Sequence, residues 1–292
     1  MTLIKKYNKF LFENIQSELN KTSPLLNLKD NVDHDFKLNE NKMWYKTIPE
    51  ILSWIELKSE NTWAWLDTET TGLPSDDHEV QLTQVSAIAT KYNFHSNTFK
   101  ELDSYDKKIK LTDTSLKSMK DPTSRIKKVL TFNHYGQKGI KYNEEGETLQ
   151  DFFTWLKKFN NPMLVIQNAI FDMRYLNTRN PVVKFDNEVI DTKIIIQLYY
   201  LPLLQKLAET DPKYKDMVSK IGTSERDNGL ISSSMSKIGP ALNINMSGYH
   251  DALTDCRITI QMFQKIIDFL KQHQDEDITK YQSERIKVTR QK

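Results

Sequence analysis

The sequence predicts an α/β domain with a mixed central sheet flanked by helices, preceded by a mostly helical N-terminal extension. Two observations predict this class: three strand-like segments follow one another near residue 62, and helical and strand-like segments alternate after residue 145. The composition agrees, because 38% hydrophobic and 27% charged residues in a chain of 292 are typical of a globular protein rather than a fibrous or membrane one.

The extension is predicted to cover residues 1–60, which contain little glycine. Apolar residues recur at every fourth position, as in an amphipathic helix, at Leu11, Ile15 and Leu19. Residues 27–41 are polar and are predicted as a loop. A second helix is predicted to begin at Thr47-Ile48-Pro49-Glu50, because proline is favoured in the first turn of a helix.

The domain itself is predicted over residues 61–273. Its first strands are assigned to Trp63–Asp67, Val80–Thr90 and Phe94–Leu102, with a turn near residues 92–93. Residues 107–128 are basic and are predicted as loop plus helix. The remaining predicted elements are a helix over 147–159, a strand over 163–166, a helix over 171–179, a strand over 189–191, a helix over 192–201 that ends before Pro202, and helices over 234–242 and 251–272. Residues 202–232 are predicted as an insertion, and 274–292 as a basic C-terminal tail.

The charge and the cysteine content of the chain exclude several classes of protein. The formal net charge of +2 is too small for a protein that coats nucleic acid by bulk charge. Two segments are locally basic: 107–128 has eight basic and two acidic residues, and 280–292 has five and one. Each could follow a phosphate backbone or form a solvated face. With the single cysteine Cys256 no intrachain disulfide is possible, and a cytoplasmic setting without membrane contact is the expectation.

Acidic residues stand at three predicted junctions. Asp67 and Glu69 point the same way at the end of a buried strand, because side chains two residues apart share a face. Open α/β sheets bind ligands at that end, and paired carboxylates there suit Mg²⁺ or Mn²⁺. Asp172 begins the helix after the strand 163–166. His250 precedes the helix that carries Asp255. Taken alone, each of these residues is more often structural: Asp67 and Glu69 in a solvated loop, Asp172 at a helix N-terminus and His250 in a surface loop.

Taken together and in order, these segments resemble the DEDDh group of the DnaQ-like 3′–5′ exonuclease superfamily. The first motif is similar to Asp67-Thr68-Glu69-Thr70-Thr71-Gly72-Leu73, and the second to Gln167-Asn168-Ala169-Ile170-Phe171-Asp172, with Gln167 where a histidine is common. The third is similar to His250-Asp251-Ala252-Leu253-Thr254-Asp255, whose His-x4-Asp spacing is that of the "h" subgroup. Val189-Ile190-Asp191-Thr192 resembles the Asp-Thr pair between the second and third motifs. The resemblance covers residues 62–272.

The resemblance implies a ribonuclease-H-like fold and two Mg²⁺ or Mn²⁺ ions. The implied metal ligands are Asp67, Glu69, Asp172 and Asp255, and His250 is the implied general base, since a near-neutral imidazole can accept a proton from water. Two cations about 3.5–4 Å apart would stabilise the attacking and leaving oxygens. By motif position, the implied substrate contacts are Thr70, Leu73, Asn168 and Phe171.

The expected function is therefore metal-dependent release of 5′-mononucleotides from the 3′ end of single-stranded DNA. Two alternatives stay open at this point. One is an RNA-trimming exoribonuclease of the same fold, and the other is a non-catalytic nucleic-acid-binding or polymerase-associated module. The extension over 1–60 could bind a polymerase or mediate self-association, and nothing in its sequence decides between these roles.

Overall fold

The computed structural model describes residues 47–72, 80–119, 125–132, 135–136, 139–179, 185, 187–225 and 229–290. The helix predicted through Leu11, Ile15 and Leu19 and the loop predicted over 27–41 therefore lie outside the described residues. The roles predicted for the extension stay predictions, as do the domain boundaries. Among the described helices, none has both the length and the apolar character needed to cross a bilayer.

The strands are β1 (Thr62–Thr70), β2 (Leu82–Asn93), β3 (Thr98–Ile109), β4 (Tyr142–Asn143), β5 (Met163–Ile166) and β6 (Val189–Asp191). The helices are α1 (Ile48–Lys58), α2 (Asp113–Met119), α3 (Arg125–Phe132), α4 (Glu145–Lys157), α5 (Ala169–Arg179), α6 (Thr192–Ile195), a π-helix (Ile196–Tyr200), α7 (Leu201–Leu207), α8 (Pro212–Ile221), α9 (Met235–Ala241), α10 (Ala252–Gln272) and α11 (Thr279–Arg290).

The six strands form one mixed sheet in the order β4-β3-β2-β1-β5-β6. β1, β2 and β3 are antiparallel neighbours, whereas β5 and β6 run parallel to β1. This combination of strand order and direction is that of the ribonuclease-H-like fold, so the predicted fold class is confirmed. The parallel strands β1, β5 and β6 end at the same edge of the sheet, where each is followed by a turn or helix.

Both faces of the sheet are covered by apolar side chains. Trp63 and Trp65 of β1 are fully buried on one face, where they pack with Phe263 of α10 at ring-centroid distances of 5.5 and 5.4 Å. Ala64 and Leu66 face the other side, towards the cluster that α4 and α5 complete. The period-two alternation of β1 therefore buries a strand on both faces and fixes which residues point towards α10.

The hairpin between β2 and β3 lies a few residues beyond its predicted place. β2 continues to Asn93, and the turn uses residues 94–97 instead of 92–93. Asn97 is in the left-handed region with φ 49°, which asparagine tolerates, and its Nδ2 donates to the main-chain oxygen of Gln264. Tyr92 stacks on Phe99 at 4.3 Å across the hairpin. This contact extends both strands past the turn that local sequence suggested.

Pro202 does not end its helical segment, so the predicted stop is wrong. The chain passes from α6 through one π-helical turn into α7, and Pro202 lies in the first turn of α7. A proline is tolerated there because its missing N–H would have no partner within α7. The helical segment continues to Leu207, and the polar stretch after it contains a further helix, α8, whose N-cap Asp211 accepts from the amide of Lys213.

The described ends of the chain pack onto the domain. α1 begins with a capping box between Thr47 and Glu50 and contributes buried side chains to the cluster shared with α10. The segment predicted as a basic tail forms α11, which contacts α7 and the π-helix. Arg285 of α11 is 4% exposed and its Nη2 donates to the oxygen of Ile231 at 3.0 Å. This arginine therefore serves packing rather than a solvated basic face.

Candidate active site

Asp67 and Glu69 lie on the same face of β1 at its carboxyl end. Opposite them on β2, the register places Ser86 beside Asp67 and Gln84 beside Glu69. A bulge between Glu69 and Thr70 ends the regular pairing immediately afterwards. Glu69 is only 8% exposed. The strand thus holds two carboxylates in fixed positions at the edge where the parallel strands end.

Asp172 reaches the same place from α5. Its Oδ1 accepts two hydrogen bonds from Thr68, one from the amide at 2.9 Å and one from the hydroxyl at 2.7 Å. Thr68 is the residue between the two acids of β1, so Asp172 is attached directly to the strand that carries them. Its 3% exposure means that no side of this carboxylate is well solvated.

The turn that carries Asp172 is held by Asp191 at the end of β6. Asp191 accepts from the amide of Asn168 with Oδ1 and from the amide of Ala169 with Oδ2, each at 3.0 Å. Its Oδ1 also accepts from the amide of Lys193 at 2.9 Å. Asn168 is in the left-handed region with φ 71°. Asp191 therefore fixes the sharp turn from β5 into α5.

His250 and Asp255 come from the start of α10. The two oxygens of Asp255 each accept from the amide of His250 at 3.3 Å, which folds the loop back on the first turn of the helix. One ligand atom each of Glu69, His250 and Asp255 lie within 4.8 Å of one another. The loop and the helix thus bring a histidine and a third element's carboxylate to the acids of β1.

The loop before α10 is strained at the histidine. His250 has φ 71°, and Gly248 has φ 82°. A residue with a side chain costs about 1–3 kcal/mol in such a conformation, and strain of this kind is found where surrounding contacts impose it. The ring of Tyr249 lies 4.0 Å from the imidazole of His250, centroid to centroid. The bond from the His250 amide to Asp255 fixes the loop, and the ring of Tyr249 packs against the imidazole.

The pKa values of the four carboxylates are raised by burial and by the charges of their neighbours. Burial, then the charges of Asp172, Glu69 and Asp255, raise the pKa of Asp67 well above its usual range. Burial and the charges of Asp255 and Asp172 raise the pKa of Glu69 to about 8. Burial raises the pKa of Asp172 to about 7, although its bonds from Thr68 oppose the shift. Burial also raises the pKa of Asp255 to about 7, against the amide of His250.

This donor set fits divalent cations. Four acidic side chains that repel one another in a buried position are stabilised when positive charge lies between them. Carboxylate oxygens are the ligands that Mg²⁺ and Mn²⁺ prefer. The residues that could hold such ions are those predicted from the sequence: Asp67, Glu69, Asp172 and Asp255.

The four residues predicted to contact substrate differ in their exposure and in their partners. Thr70 is 4% exposed and its hydroxyl donates to the oxygen of Gly72 at 2.7 Å, so it supports the turn after β1. Asn168 keeps partial exposure, and its Oδ1 accepts from Nζ of Lys193 at 3.0 Å. Phe171 is half-buried beside Tyr175. Leu73 lies outside the described residues. The substrate role of all four stays a prediction.

Three polar residues near the site were not singled out for it from the sequence. Lys108, Gln84 and Asp251 form a network in which Lys108 Nζ lies 2.9 Å from Asp251 Oδ2 and 3.1 Å from Gln84 Oε1. Lys108 belongs to the basic segment predicted as loop plus helix, but it lies in β3 with a side chain only 11% exposed. Local sequence carried no period-two signal for this strand, because the apolar residues of β3 recur at spacings of three and four, at Phe99, Leu102, Tyr105 and Ile109.

Comparison with solved structures returned nucleases, among them exonuclease I. One exonuclease I structure, concerned with how processivity is achieved, aligns with a TM-score of 0.47 at 16% identity over 73% of this chain and 44% of the other. The zinc-bound E. coli exonuclease I complex with single-stranded DNA aligns with a TM-score of 0.48 at 17% identity, over 73% of this chain and 43% of the other. Cell-death related nuclease 4 aligns with a TM-score of 0.42 at 16% identity, over 72% of this chain and 64% of the other. The chain thus spans less than half the length of the exonuclease I chains that it matches.

No protein-family model and no curated protein sequence matches the chain.

Proposed function

We propose that this chain is a metal-dependent 3′–5′ exonuclease of the DEDDh type, which releases 5′-mononucleotides from single-stranded DNA. The observation that carries the proposal is the convergence of acidic side chains from β1, α5 and α10 beside His250. Bound divalent cations would neutralise charge on the scissile phosphate and acidify a water molecule. Mg²⁺ and Mn²⁺ are the proposed ions, and the 3′ end of a single strand is the proposed partner.

The residues of the chain divide the remaining work. Asp67, Glu69, Asp172 and Asp255 would hold the cations, and Thr68 and Asp191 fix the turn that carries Asp172. His250 would accept the proton of the attacking water. The water oxygen bonds to phosphorus while the P–O3′ bond breaks, so the 3′ oxygen leaves with the shortened strand. The phosphate stays on the released 5′-mononucleotide.

One set of digestions tests this function. The purified full chain is incubated with Mg²⁺ and with matched single-stranded and duplex DNA and RNA, each carrying a label at either end. We expect mononucleotides from single-stranded DNA, with the 3′-terminal nucleotide released first. Preferential digestion of RNA would reassign the substrate. Release from the 5′ end, or binding of all four oligomers without cleavage in Mg²⁺ or Mn²⁺, would refute the proposal.

Replacement of His250 by alanine separates two roles for its side chain. As general base, His250 is worth about 10²- to 10⁴-fold in rate, while the affinity for Mn²⁺ should stay close to that of the wild type. The alternative is that the imidazole is itself a metal ligand, because a ring nitrogen lies within 4.8 Å of the carboxylates of Glu69 and Asp255. Metal titration followed by single-turnover cleavage measures both quantities. A large loss of Mn²⁺ affinity would contradict the base assignment.

A further inference from the structure

A partly buried ion pair lies beside the candidate site but outside the four carboxylates and His250. Lys108 projects from β3, where its Nζ contacts Asp251 Oδ2 at 2.9 Å, and the two side chains are 11% and 26% exposed. Asp251 is the residue directly after His250 and is the N-cap of α10, accepting from the amide of Thr254. The pair therefore links the third strand of the sheet to the loop that presents the histidine.

The sheet register connects this pair to the acids of β1. Glu69, Gln84 and Lys108 are direct cross-strand neighbours on β1, β2 and β3, so their side chains share one face. Gln84 Oε1 accepts from Lys108 at 3.1 Å and from the amide of Ala252 at 3.3 Å, and its Nε2 donates to Asp251 at 3.2 Å. Two strands and the first turn of α10 thus meet in one hydrogen-bonded group, next to Glu69 of β1.

Lys108 also lies close to the acidic cluster, because only Gln84 separates it from Glu69 across the adjacent strands. Its ammonium is held by Asp251, so its position relative to Glu69 and the position of the His250 loop are set by one contact. A strained loop such as this one keeps its conformation only while contacts of this kind impose it.

We propose that Lys108 and Asp251, bridged by Gln84, form a positioning clamp that holds His250 over the carboxylate cluster. The three residues do not touch the reacting atoms, and they act through the loop that carries His250. The proposal rests on the nuclease function proposed above. Removing a group that orients a metal ligand or a catalytic residue in this way lowers activity or metal affinity about 10- to 100-fold.

The neighbouring strand position supplies a matched control. Lys107 points to the opposite face of the sheet and pairs with Asp151 of α4, with side chains 37% and 51% exposed. Lys107→Met and Asp151→Asn therefore remove an ion pair of the same chemistry from the same strand without touching the α10 loop. Asp251→Asn keeps the size of the side chain and an oxygen for capping, so it tests the clamp even if Lys108→Met folds poorly.

The test measures kcat and KM for a 3′-labelled single strand, together with amide exchange of the His250 loop. We expect Lys108→Met and Asp251→Asn each to lower kcat about 10- to 100-fold with KM nearly unchanged. We expect Lys108→Arg to recover part of the loss, and the double variant to be no worse than the more damaging single one. The Lys107 and Asp151 variants should stay close to wild type. The clamp would be overturned if the losses of kcat in the two single variants multiplied in the double variant. It would also be overturned if Lys108→Met kept a kcat like that of Lys107→Met.

Amide exchange keeps this test separate from the proposed function. If the wild-type chain cleaves no oligomer, the nuclease proposal fails, and exchange of the His250 amide still decides the clamp. Faster exchange in Lys108→Met and Asp251→Asn than in Lys107→Met supports the clamp. Equal exchange in all three variants overturns it.

Discussion

Replacing Asp67 by asparagine is expected to abolish metal-dependent release of mononucleotides while leaving the fold intact. The substitution keeps the shape of the side chain on β1 and removes one of the anionic oxygens that would hold a cation. We expect a loss of at least about 10²- to 10³-fold in kcat, the scale measured when one preorganised group that stabilises transition-state charge is deleted. Asp255→Asn on α10 should give the same result from another element.

A control variant and a check of folding are needed to interpret this result. Glu101 lies at an exposed position of β3, where replacement by glutamine removes the same kind of charge away from the cluster. Glu101→Gln should retain wild-type kcat. Circular dichroism and thermal unfolding should show that the Asp67 and Asp255 variants are folded. Undiminished cleavage in either folded variant would contradict the assignment of these residues to the site.

The sequence predicted that these acids come together because local spacing constrains where each of them lies, whereas their proposed roles came from the order of the three motifs. Asp67 and Glu69 lie at the end of an apolar run that is predicted as a buried strand, and their separation of two residues puts them on one face. Asp172 follows the next parallel strand, and parallel strands end at one edge of the sheet. Each of these steps depends on spacing within a short segment, together with a topology that strand order already favours.

The clamp was beyond such reasoning because it depends on register between distant strands. Lys108 pairs with Gln84 because the β2–β3 turn lies at residues 94–97, and Gln84 pairs with Glu69 through the separate register of β1 and β2. A turn at residues 92–93, as the sequence suggested, would pair Gln84 with a different residue of β3. Local sequence also favoured a solvated basic face for Lys108, since runs of lysine usually form one.

The left-handed conformation of His250 was likewise hidden from the sequence. A histidine before a helix N-cap usually adopts an extended conformation, and nothing in Gly248-Tyr249-His250 states otherwise. The φ of 71° accompanies one local and one tertiary contact: Asp255 accepts from the His250 amide, and Lys108 of β3 holds the neighbouring Asp251. Strain of this sort concentrates where several elements meet, which is also where the acids of three elements come together.

The same acids should make the metal-free protein less stable as pH rises. The pKa values of Glu69, Asp172 and Asp255 are raised to about 8, 7 and 7, compared with about 4 in an unfolded chain. Between these limits the folded state holds more protons than the unfolded state. Its stabilisation by these groups is complete below about pH 4 and is lost as pH rises towards about 8.

Thermal unfolding in the presence of a chelator measures this effect. We expect Tm to fall steadily from pH 5 to pH 8, by about 2–4 °C for each kcal/mol lost in a domain of this size. Mg²⁺ added at pH 8 should raise Tm again, because a cation that binds only the folded state stabilises it by mass action. Carboxylates with lowered pKa values, such as those of Asp151 and Asp251, lose their charge at lower pH, outside this window.

Glu69→Gln assigns the pH effect to the cluster. Without the carboxylate whose pKa is raised to about 8, the variant should unfold at a higher temperature than wild type in chelator at pH 8, and its Tm should depend less on pH. It should also respond less to Mg²⁺ and be inactive. A substitution that stabilises the fold while it removes activity is expected where repelling charges are kept for function. A metal-free Tm that is flat or rises from pH 5 to pH 8 would show that these carboxylates do not repel one another as their burial implies.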